Sequence, residues 1–517
     1  MTRVFAYHFE ARSIQSFILD SGRLRDVVGA SELVDALARR EGDDLLALAL
    51  EVVQFEAAPQ FARRAGSAFT LVTTEQDKLD RLRALWTLVV RVLAPELVYS
   101  EGIGEGKSAR KAIEAARRRV VLRKNTDSES LPPPTPLAER VRRTGRAAVV
   151  RETSEALDAV TRSKRRFAGA EFLVARFAPT QPEKPLWPKD LSGDPEADPA
   201  FPFSGDRRLV AVVHADGNGM GGMLTALAAA VRSSGPDYVS VFADFSRSLG
   251  EATEAAAERA VTEILLPARE KEVVPARPII LGGDDLVAIV RGDLAFPFAL
   301  AFLEAFEEET RTRLQRHGAW PEELRNGMTA AAGIAFVHAH HPYHLGHQLA
   351  EALCRHAKSK ARSTPPVTGR PPSSLAFFRS TGSYWTDYEA LLEEELTFGK
   401  DRCAVRNTLE AYGLEAGSSL PSARELLDLA HTVRRARAGG GLRQINSLLF
   451  SDLSEAERAW RRWLRNIEER HEFGGEDRRR QIQEGFRKLT GSATDGLPIA
   501  GDRTPIGDVV TLVEVGA

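Results

Sequence analysis

Apolar positions along the chain fall into runs of two kinds, and the kinds alternate. Val4 to Phe9 has strand character, and Ile14, Phe17, Ile18, Leu24, Val27 and Val28 follow at helical spacing. A second strand-like run, Ser67 to Thr73, comes after the basic stretch Arg63-Arg64-Ala65-Gly66, so the opening region predicts the order strand, helix, strand, helix. From Lys124 to Asp206 the texture changes. Leu131-Pro132-Pro133-Pro134 forbids a helix, and prolines recur from Pro179 to Pro202 among acidic and polar residues. This predicts a connector with a small basic helical insert around Arg140 to Arg166, part of which packs on a neighbour, because so long a structureless loop is unusual.

The middle of the chain is the most regular. Leu209 to His214 is mainly Val, Leu and Ala without alternation, the pattern of a strand buried on both faces. Ala215-Asp216-Gly217-Asn218-Gly219 then turns into an apolar helix near Met220, and an alanine-rich helix follows from Tyr238 to Leu266, ended by Pro267. Pro278 to Leu281 and Leu286 to Val290 are apolar strands separated by Gly282-Gly283-Asp284-Asp285, which is hairpin turn chemistry. A helix from Leu294 to Arg316, a strand from Met328 to Val337 and a helix from Leu345 to Arg362 complete the order β-α-α-β-β-α-β-α. That order predicts a split βαβ sheet with helices on one face. Beyond Tyr388 strand signals nearly vanish, and Glu389 to about Leu489 predicts a helical domain. Its arginines, among them Arg434, Arg435, Arg437, Arg458, Arg461, Arg462, Arg478, Arg479 and Arg480, read as solvated helix faces before they read as a binding surface.

The chemistry concentrates in three acids. Asp216 follows one buried strand and Asp284 with Asp285 sits in the hairpin between the next two, so if those strands are neighbours three carboxylates converge at one sheet edge. Carboxylates that close repel one another, and a divalent ion with oxygen ligands removes the repulsion. Magnesium, or manganese in its place, suits such a site, because it takes few protein carboxylates and completes its shell with water and substrate phosphates. Gly217, Gly219, Gly221 and Gly222 surround a helix start, where free N–H groups and the helix dipole favour phosphate. Gly282 and Gly283 let the hairpin adopt positive φ and leave room for a ribose or phosphate beside the acids.

Bulk properties narrow the setting. A chain of 517 residues suggests about three domains. With 43% hydrophobic and 27% charged residues and a net charge of −2, no global field argues for nucleic acid or membrane. No apolar run approaches the about 20 residues that cross a bilayer, and Met1 to Glu10 lacks the core of a signal peptide, so a cytoplasmic location is expected. Cys354 and Cys403 are the only cysteines, which excludes a disulfide scaffold and a Cys-rich zinc module; both are expected to be buried. His338, His340, His341, His344 and His347 flank Pro342, and a polar loop explains them better than a metal site. No Ser-His-Asp arrangement, Walker lysine loop or His-Glu-x-x-His motif is present.

Asp216-Gly217-Asn218 with Met220-Gly221, then Gly282-Gly283-Asp284-Asp285, then Ala332-Gly333-Ile334-Ala335 and the helix ending His356-Ala357-Lys358 resemble, in order and spacing, the second palm domain of the large polymerase-like subunit of type III CRISPR effector complexes. More distantly they resemble the GGDEF cyclases. The resemblance covers residues 209–362 and implies that Asp216, Asp284 and Asp285 hold the metals. It also implies that Gly217, Asn218, Gly219, Met220, Gly221, Gly282, Gly283 and Lys358 line the nucleotide, with Lys358 on the triphosphate and ATP as substrate. Ser13-Ile14-Gln15-Ser16-Phe17-Ile18 and Leu24-Arg25-Asp26-Val27-Val28-Gly29-Ala30-Ser31 look like the opening of the same family's first palm. There Arg64-Ala65-Gly66-Ser67-Ala68-Phe69 stands where the second palm has Gly-Gly-Asp-Asp, so the first palm is expected to be catalytically empty, either shaping a nucleotide site between the palms or packing alone. No His-Asp dipeptide and no connector cysteines are present, so the HD nuclease domain and zinc ribbon of many such subunits are expected to be missing.

The expected fold class is therefore α+β: two ferredoxin-like palm domains, the first degenerate and the second carrying Gly-Gly-Asp-Asp, plus a C-terminal helical domain, with boundaries 1–123, 124–205, 206–388 and 389–517. The expected activity is a metal-dependent nucleotidyltransferase that makes cyclic oligonucleotides, oligoadenylate foremost, in CRISPR-like antiviral defence. RNA and other CRISPR-type subunits are the partners the resemblance implies. Two alternatives stay open: a cyclase with a di- or mononucleotide product, and a noncatalytic scaffold binding RNA and proteins.

Overall fold

A computed structural model describes residues 3–20, 23–39, 44–65, 67–124, 135–152, 155–178, 185–191, 199–204, 208–234, 237–316, 320, 322–364, 370–382, 387–399, 404–414, 420–469, 475–491 and 496–517. Cys403, Gly66, Leu131 to Pro134 and much of the proline-rich run after Pro179 lie outside these residues.

The first palm runs β1 (Val4–Ala11), α1 (Ile14–Leu19), α2 (Leu24–Leu37), α3 (Leu45–Val53), β2 (Gln60–Ala65), β3 (Ala68–Thr73), α4 (Gln76–Leu93), β4 (Tyr99–Gly106) and α5 (Ala109–Lys124). Its antiparallel sheet has the order β2-β3-β1-β4. Two of these strands were not expected. β4 reads Tyr-Ser-Glu-Gly-Ile-Gly-Glu-Gly and carries no apolar alternation, because α5 lies so close that a Cβ on Gly102 would fall 2.6 Å from the Ala116 carbonyl oxygen. β2 carries two arginines among its six residues and owes its place to pairing with the fully buried β3.

The connector contributes the hairpin β5 (Val150–Glu152) and β6 (Glu155–Leu157), α6 (Ala159–Phe167) and α7 (Phe172–Phe177). The basic insert is thus a hairpin and a helix, with α6 started by the Asp158 side chain, which accepts from the Thr161 N–H at 2.9 Å. Arg176 of α7 ties the palms together: it reaches Asp35 on α2, Glu254 at 2.8 Å and the Leu281 carbonyl at 2.6 Å.

The second palm runs β7 (Leu209–Gly217), α8 (Met220–Ser234), α9 (Tyr238–Ala260), β8 (Ala276–Gly282), β9 (Asp285–Arg291), α10 (Gly292–Leu314), α11 (Glu322–Arg325), β10 (Ala330–His338), α12 (Tyr343–Ser363) and β11 (Ser374–Arg379). The expected element order holds, with α11 and β11 added. The expectation of helices on one face does not hold throughout. Ala211, Val213, Ala215, Ile334 and Phe336 share a core with α9 and α10, whereas Val210, Val212, Ala331, Ala335 and Val337 point the other way to α12. Gly333 lets α12 settle onto that second face, since a Cβ there would collide with the Ala350 carbonyl. Strands buried on both faces, as the unbroken apolar run of β7 indicated, need a helix on each.

Residues 388–413 add α13 (Tyr388–Glu394), β12 (Thr397–Phe398), β13 (Val405–Arg406) and β14 (Tyr412–Gly413), and the helices α14 (Ala423–Arg435), α15 (Gly439–Leu449), α16 (Leu453–Glu468), α17 (Gly475–Thr490) and α18 (Ile506–Val515) complete the chain. The helical character expected after Tyr388 therefore begins in earnest at Ala423. The two-residue strands before it are too short to show periodicity; β14 extends the palm sheet to the six-stranded order β14-β11-β10-β7-β9-β8, with β10 and β11 parallel.

The two palms correspond strand for strand. β2-β3-β1-β4 and β8-β9-β7-β10 are the same order, and both hairpins slip register at the same step, between Phe61 and Arg63 and between Pro278 and Ile280. Counting from there sets Ala65 against Gly282, Ser67 against Asp284 and Ala68 against Asp285. On the neighbouring strand Glu10 pairs with Ala68 as Asp216 pairs with Asp285.

Candidate active site

The antiparallel pairing of β7 with β9 places Asp216 directly opposite Asp285, and the Gly217 N–H donates to the Asp284 carbonyl at 3.2 Å. Ligand atoms of Asp216, Asp284 and Asp285 lie within 4.8 Å of one another, the only such metal-capable group among the described residues. Gly217 is required by this approach: a Cβ there would fall 2.7 Å from the Asp284 Cβ and 2.8 Å from its Oδ2. Gly283 has φ +65 and Gly219 φ +77, both left-handed, as their turns demand. Thr253 on α9 donates to the Gly283 carbonyl at 2.7 Å and holds the hairpin from behind, a contact the sequence reading did not foresee.

Electrostatics follow from this crowding. Asp284 is pushed up to about 6, by desolvation first and the Asp216 charge second; Asp285 is raised well above the carboxylate range by desolvation, then by Asp284 and Asp216. Both acids are only partly covered by area, but the protein packed around them is dense enough for desolvation to lead. A cluster of hard oxygen donors, destabilised as anions when alone, matches the donor set of a divalent cation. Lys358 on α12 donates to Asp216 and, at 2.9 Å, to the Gly217 carbonyl.

The other expected residues divide. Gly219, Gly221 and Gly222 have open space where a Cβ would stand, around the start of α8. Gly282 ends β8 opposite Asp285. Asn218 is buried, its side-chain amide donating to Thr329 at 3.0 Å and its N–H to the Thr329 carbonyl at 2.7 Å, so it shapes the turn. Met220 packs partly buried against the core. Across the palm junction stands Arg63 of β2, exposed to solvent by area yet closely enough surrounded that desolvation lowers its pKa, while Glu10, Asp284 and Asp285 pull it back up. The motif search did not single it out.

The histidine tract takes no part. β10 runs antiparallel to β7, so His338 pairs with Leu209 at the sheet end remote from the acids. His347 is buried against His214 at 3.4 Å, and desolvation depresses the two to about 4 and about 3, so both are neutral. Cys354 is buried as expected, its thiol donating to the Ala331 carbonyl. In the C-terminal helices Arg458, Arg461, Arg479 and Arg480 pair with Glu455, Glu457, Glu468 and Glu476, as solvated faces do. Among the described residues, no helix is long and apolar enough to cross a membrane.

A four-stranded antiparallel core with acids at the end of one central strand and in the adjoining hairpin is the arrangement of a palm domain. Within that class the family profile of the Cas10/Cmr2 second palm domain matches residues 209–364, which bears out the resemblance drawn from the motifs to the palm-domain large subunits of type III CRISPR complexes. Solved structures similar to this one include a Csm1–Csm4 cassette in complex with cA4, at 14% identity, TM-score 0.49 and coverage of 100% of this chain and 69% of that one. Csm1 of T. onnurineus is similar at 16% identity, TM-score 0.49 and coverage of 99% and 70%, and a Csm1–Csm4 cassette with AMPPNP at 16%, 0.48, 100% and 70%. A sequence comparison with curated proteins finds no match.

Proposed function

We propose that this chain is a metal-dependent nucleotidyltransferase that joins NTPs, ATP above all, through 3′–5′ bonds into cyclic oligonucleotides and releases pyrophosphate, as part of CRISPR-type antiviral defence in the cytoplasm. The observation that carries this reading is the convergence of Asp216, Asp284 and Asp285 at one sheet edge with Lys358 beside them. A divalent cation, magnesium or manganese, would supply Lewis-acid activation of a 3′-hydroxyl and neutralise charge on the triphosphate. Asp216 and Asp285 would be its principal ligands and Asp284 a supporting one. Gly219 and Gly221 leave the main chain open to phosphate at the start of α8 and Gly283 does so at the hairpin, Gly217 gives Asp284 its room, Gly282 ends β8 beside the acids, and Lys358 offers a cation to the triphosphate. Asn218 and Met220 serve by fixing the turn between β7 and α8. Partners by the same reading are RNA and further subunits of a CRISPR-type complex, in keeping with the Csm1–Csm4 pairing of the similar structures.

The test is incubation of the purified chain with magnesium and each radiolabelled NTP, beside an Asp284→Ala, Asp285→Ala double variant. Phosphatase-resistant oligonucleotides from the intact chain alone are expected. A di- or mononucleotide product would move the reading to the narrower cyclase, and no turnover even with RNA added would leave the noncatalytic scaffold.

A further inference from the structure

Lys358 stands among the acids in the position of a cation. Its ammonium bridges the Asp216 carboxylate and the Gly217 carbonyl oxygen, the latter at 2.9 Å, with the lysine side chain 14% exposed and that of Asp216 36%. We infer that Lys358 is the internal counter-ion of the acid triad: its ammonium competes with a metal ion for Asp216, and loading of the site exchanges one for the other, freeing the lysine for a substrate phosphate. This rests on the metal site proposed above.

Two observations support the counter-ion role. The α12 backbone is locked to the sheet, since a Cβ on Gly333 would collide with Ala350 and one on Gly346 would press on Val212 at 3.3 Å. Only the flexible lysine stem is therefore free to move, and its compact ammonium can turn from one oxygen to another. The second observation comes from the first palm. Gly102 there approaches α5 at Ala116 as Gly333 approaches α12 at Ala350, and Lys124 follows Ala116 at the interval at which Lys358 follows Ala350. Lys124 pairs with Glu10, the counterpart of Asp216, at 3.0 Å. Ser67 and Ala68 replace the hairpin acids in that palm, so a lysine–carboxylate pair persists where no metal-binding set remains. Neutralising the strand-end acid is thus a job the lysine does in both palms.

The experiment is a manganese titration followed by electron paramagnetic resonance, without nucleotide, on the full chain and on Lys358→Met, Lys358→Arg and Asp216→Ala variants. An opposite charge at this range changes cation affinity at a carboxylate on the order of tenfold or more, so Lys358→Met is expected to bind manganese at least about tenfold more tightly. Lys358→Arg, which keeps the charge, should stay near the parent, and Asp216→Ala should lose the site. Unchanged or weaker binding in Lys358→Met, with parent binding that depends on Asp216, would overturn the counter-ion role and leave the proposed function standing. Absence of Asp216-dependent binding in both parent and Lys358→Met would overturn both. Lys358→Gln replaces the methionine variant should circular dichroism show the latter unfolded.

Discussion

The two palms share a sheet order, a hairpin slip and a helix crossing the same face, yet one edge carries three acids and the other carries one. In the first palm β1 ends His8-Phe9-Glu10-Ala11, and in the second β7 ends His214-Ala215-Asp216-Gly217. The hairpin has Ala65, Ser67 and Ala68 where the other has Gly282, Asp284 and Asp285. What was kept is what packing needs: apolar strands, the glycines that admit α5 and α12, and a lysine to neutralise the strand-end acid. What differs is the pair of turn acids, whose crowding with Asp216 raises the pKa of both. Gly217 has no glycine counterpart in the first palm. Ala11 occupies its position, and a Cβ is harmless there because Ser67 offers no carboxylate to strike. The acid constellation and the scaffold are therefore separable in this chain, and among the described residues the second palm alone brings three acids together.

The sharpest way to break that contrast is to remove the equivalent acids one at a time. Asp285→Ala should lower product formation on the order of a thousandfold, as loss of a group that organises charge in the transition state does. Glu10→Ala removes an ion pair with Lys124 whose side chains are 32% and 38% exposed, so its effect should stay within about tenfold. Equal losses in the two variants, measured as initial rates of labelled product, would show that the first palm is no bystander. Next in size is Gly217→Ala, which drives a methyl group into Asp284 and displaces the acid. A misplacement of that order costs about a hundredfold in rate. Ala11→Gly should leave the rate within about threefold and cost about 1 kcal/mol of stability through backbone entropy. A Gly217→Ala variant with parental activity would mean that the turn relaxes freely and that the close approach does not set the site.

Much of this was legible in the sequence, and the exceptions have physical causes. The second palm could be read because its strands are apolar on both faces and its hairpin turn is glycine and aspartate, signals that need no partner to be seen. Adjacency of β7 and β9 followed from connectivity, and with it the meeting of Asp216 and Asp285. β4 was hidden because Gly102, Gly104 and Gly106 answer to α5, a neighbour invisible in one dimension. β14 was hidden because two residues carry no period. The spacing His-x-acid-small at the ends of β1 and β7 was in plain view and would have located Glu10 as the counterpart of Asp216. Arg63 could not have been found this way: nothing in Phe61-Ala62-Arg63-Arg64 says that β2 will lie beside α9 with the acids beyond it.

The smallest expected effect concerns the junction that holds the palms together. Glu32 of α2 is fully buried, accepts from the Leu173 N–H of the connector at 3.0 Å and faces Arg277 of β8 at 3.5 Å. Burial pushes Glu32 up to about 7, with nearby Asp35 adding to the rise, and burial also lowers Arg277 to about 10. Desolvation of each partner thus outweighs their mutual attraction, as is common for buried pairs. The sign follows directly. A carboxyl group whose folded pKa lies above its unfolded value contributes stability that is complete below about 4.5 and is lost as pH rises through about 7. Between pH 5 and pH 8 the parent should therefore lose about 2 kcal/mol relative to Glu32→Gln, whose amide still accepts from Leu173 and cannot ionise. The variant leaves Arg277 without its partner, an offset that is constant over this range because Arg277 stays charged, so the slope of the difference in melting temperature is the quantity to read. Parallel curves would mean that Glu32 is ionised throughout. A parent that gains on the variant as pH rises would mean that the Arg277 attraction wins, and the two palms would then be held by an ion pair at the junction instead of by a protonated acid and its backbone donor.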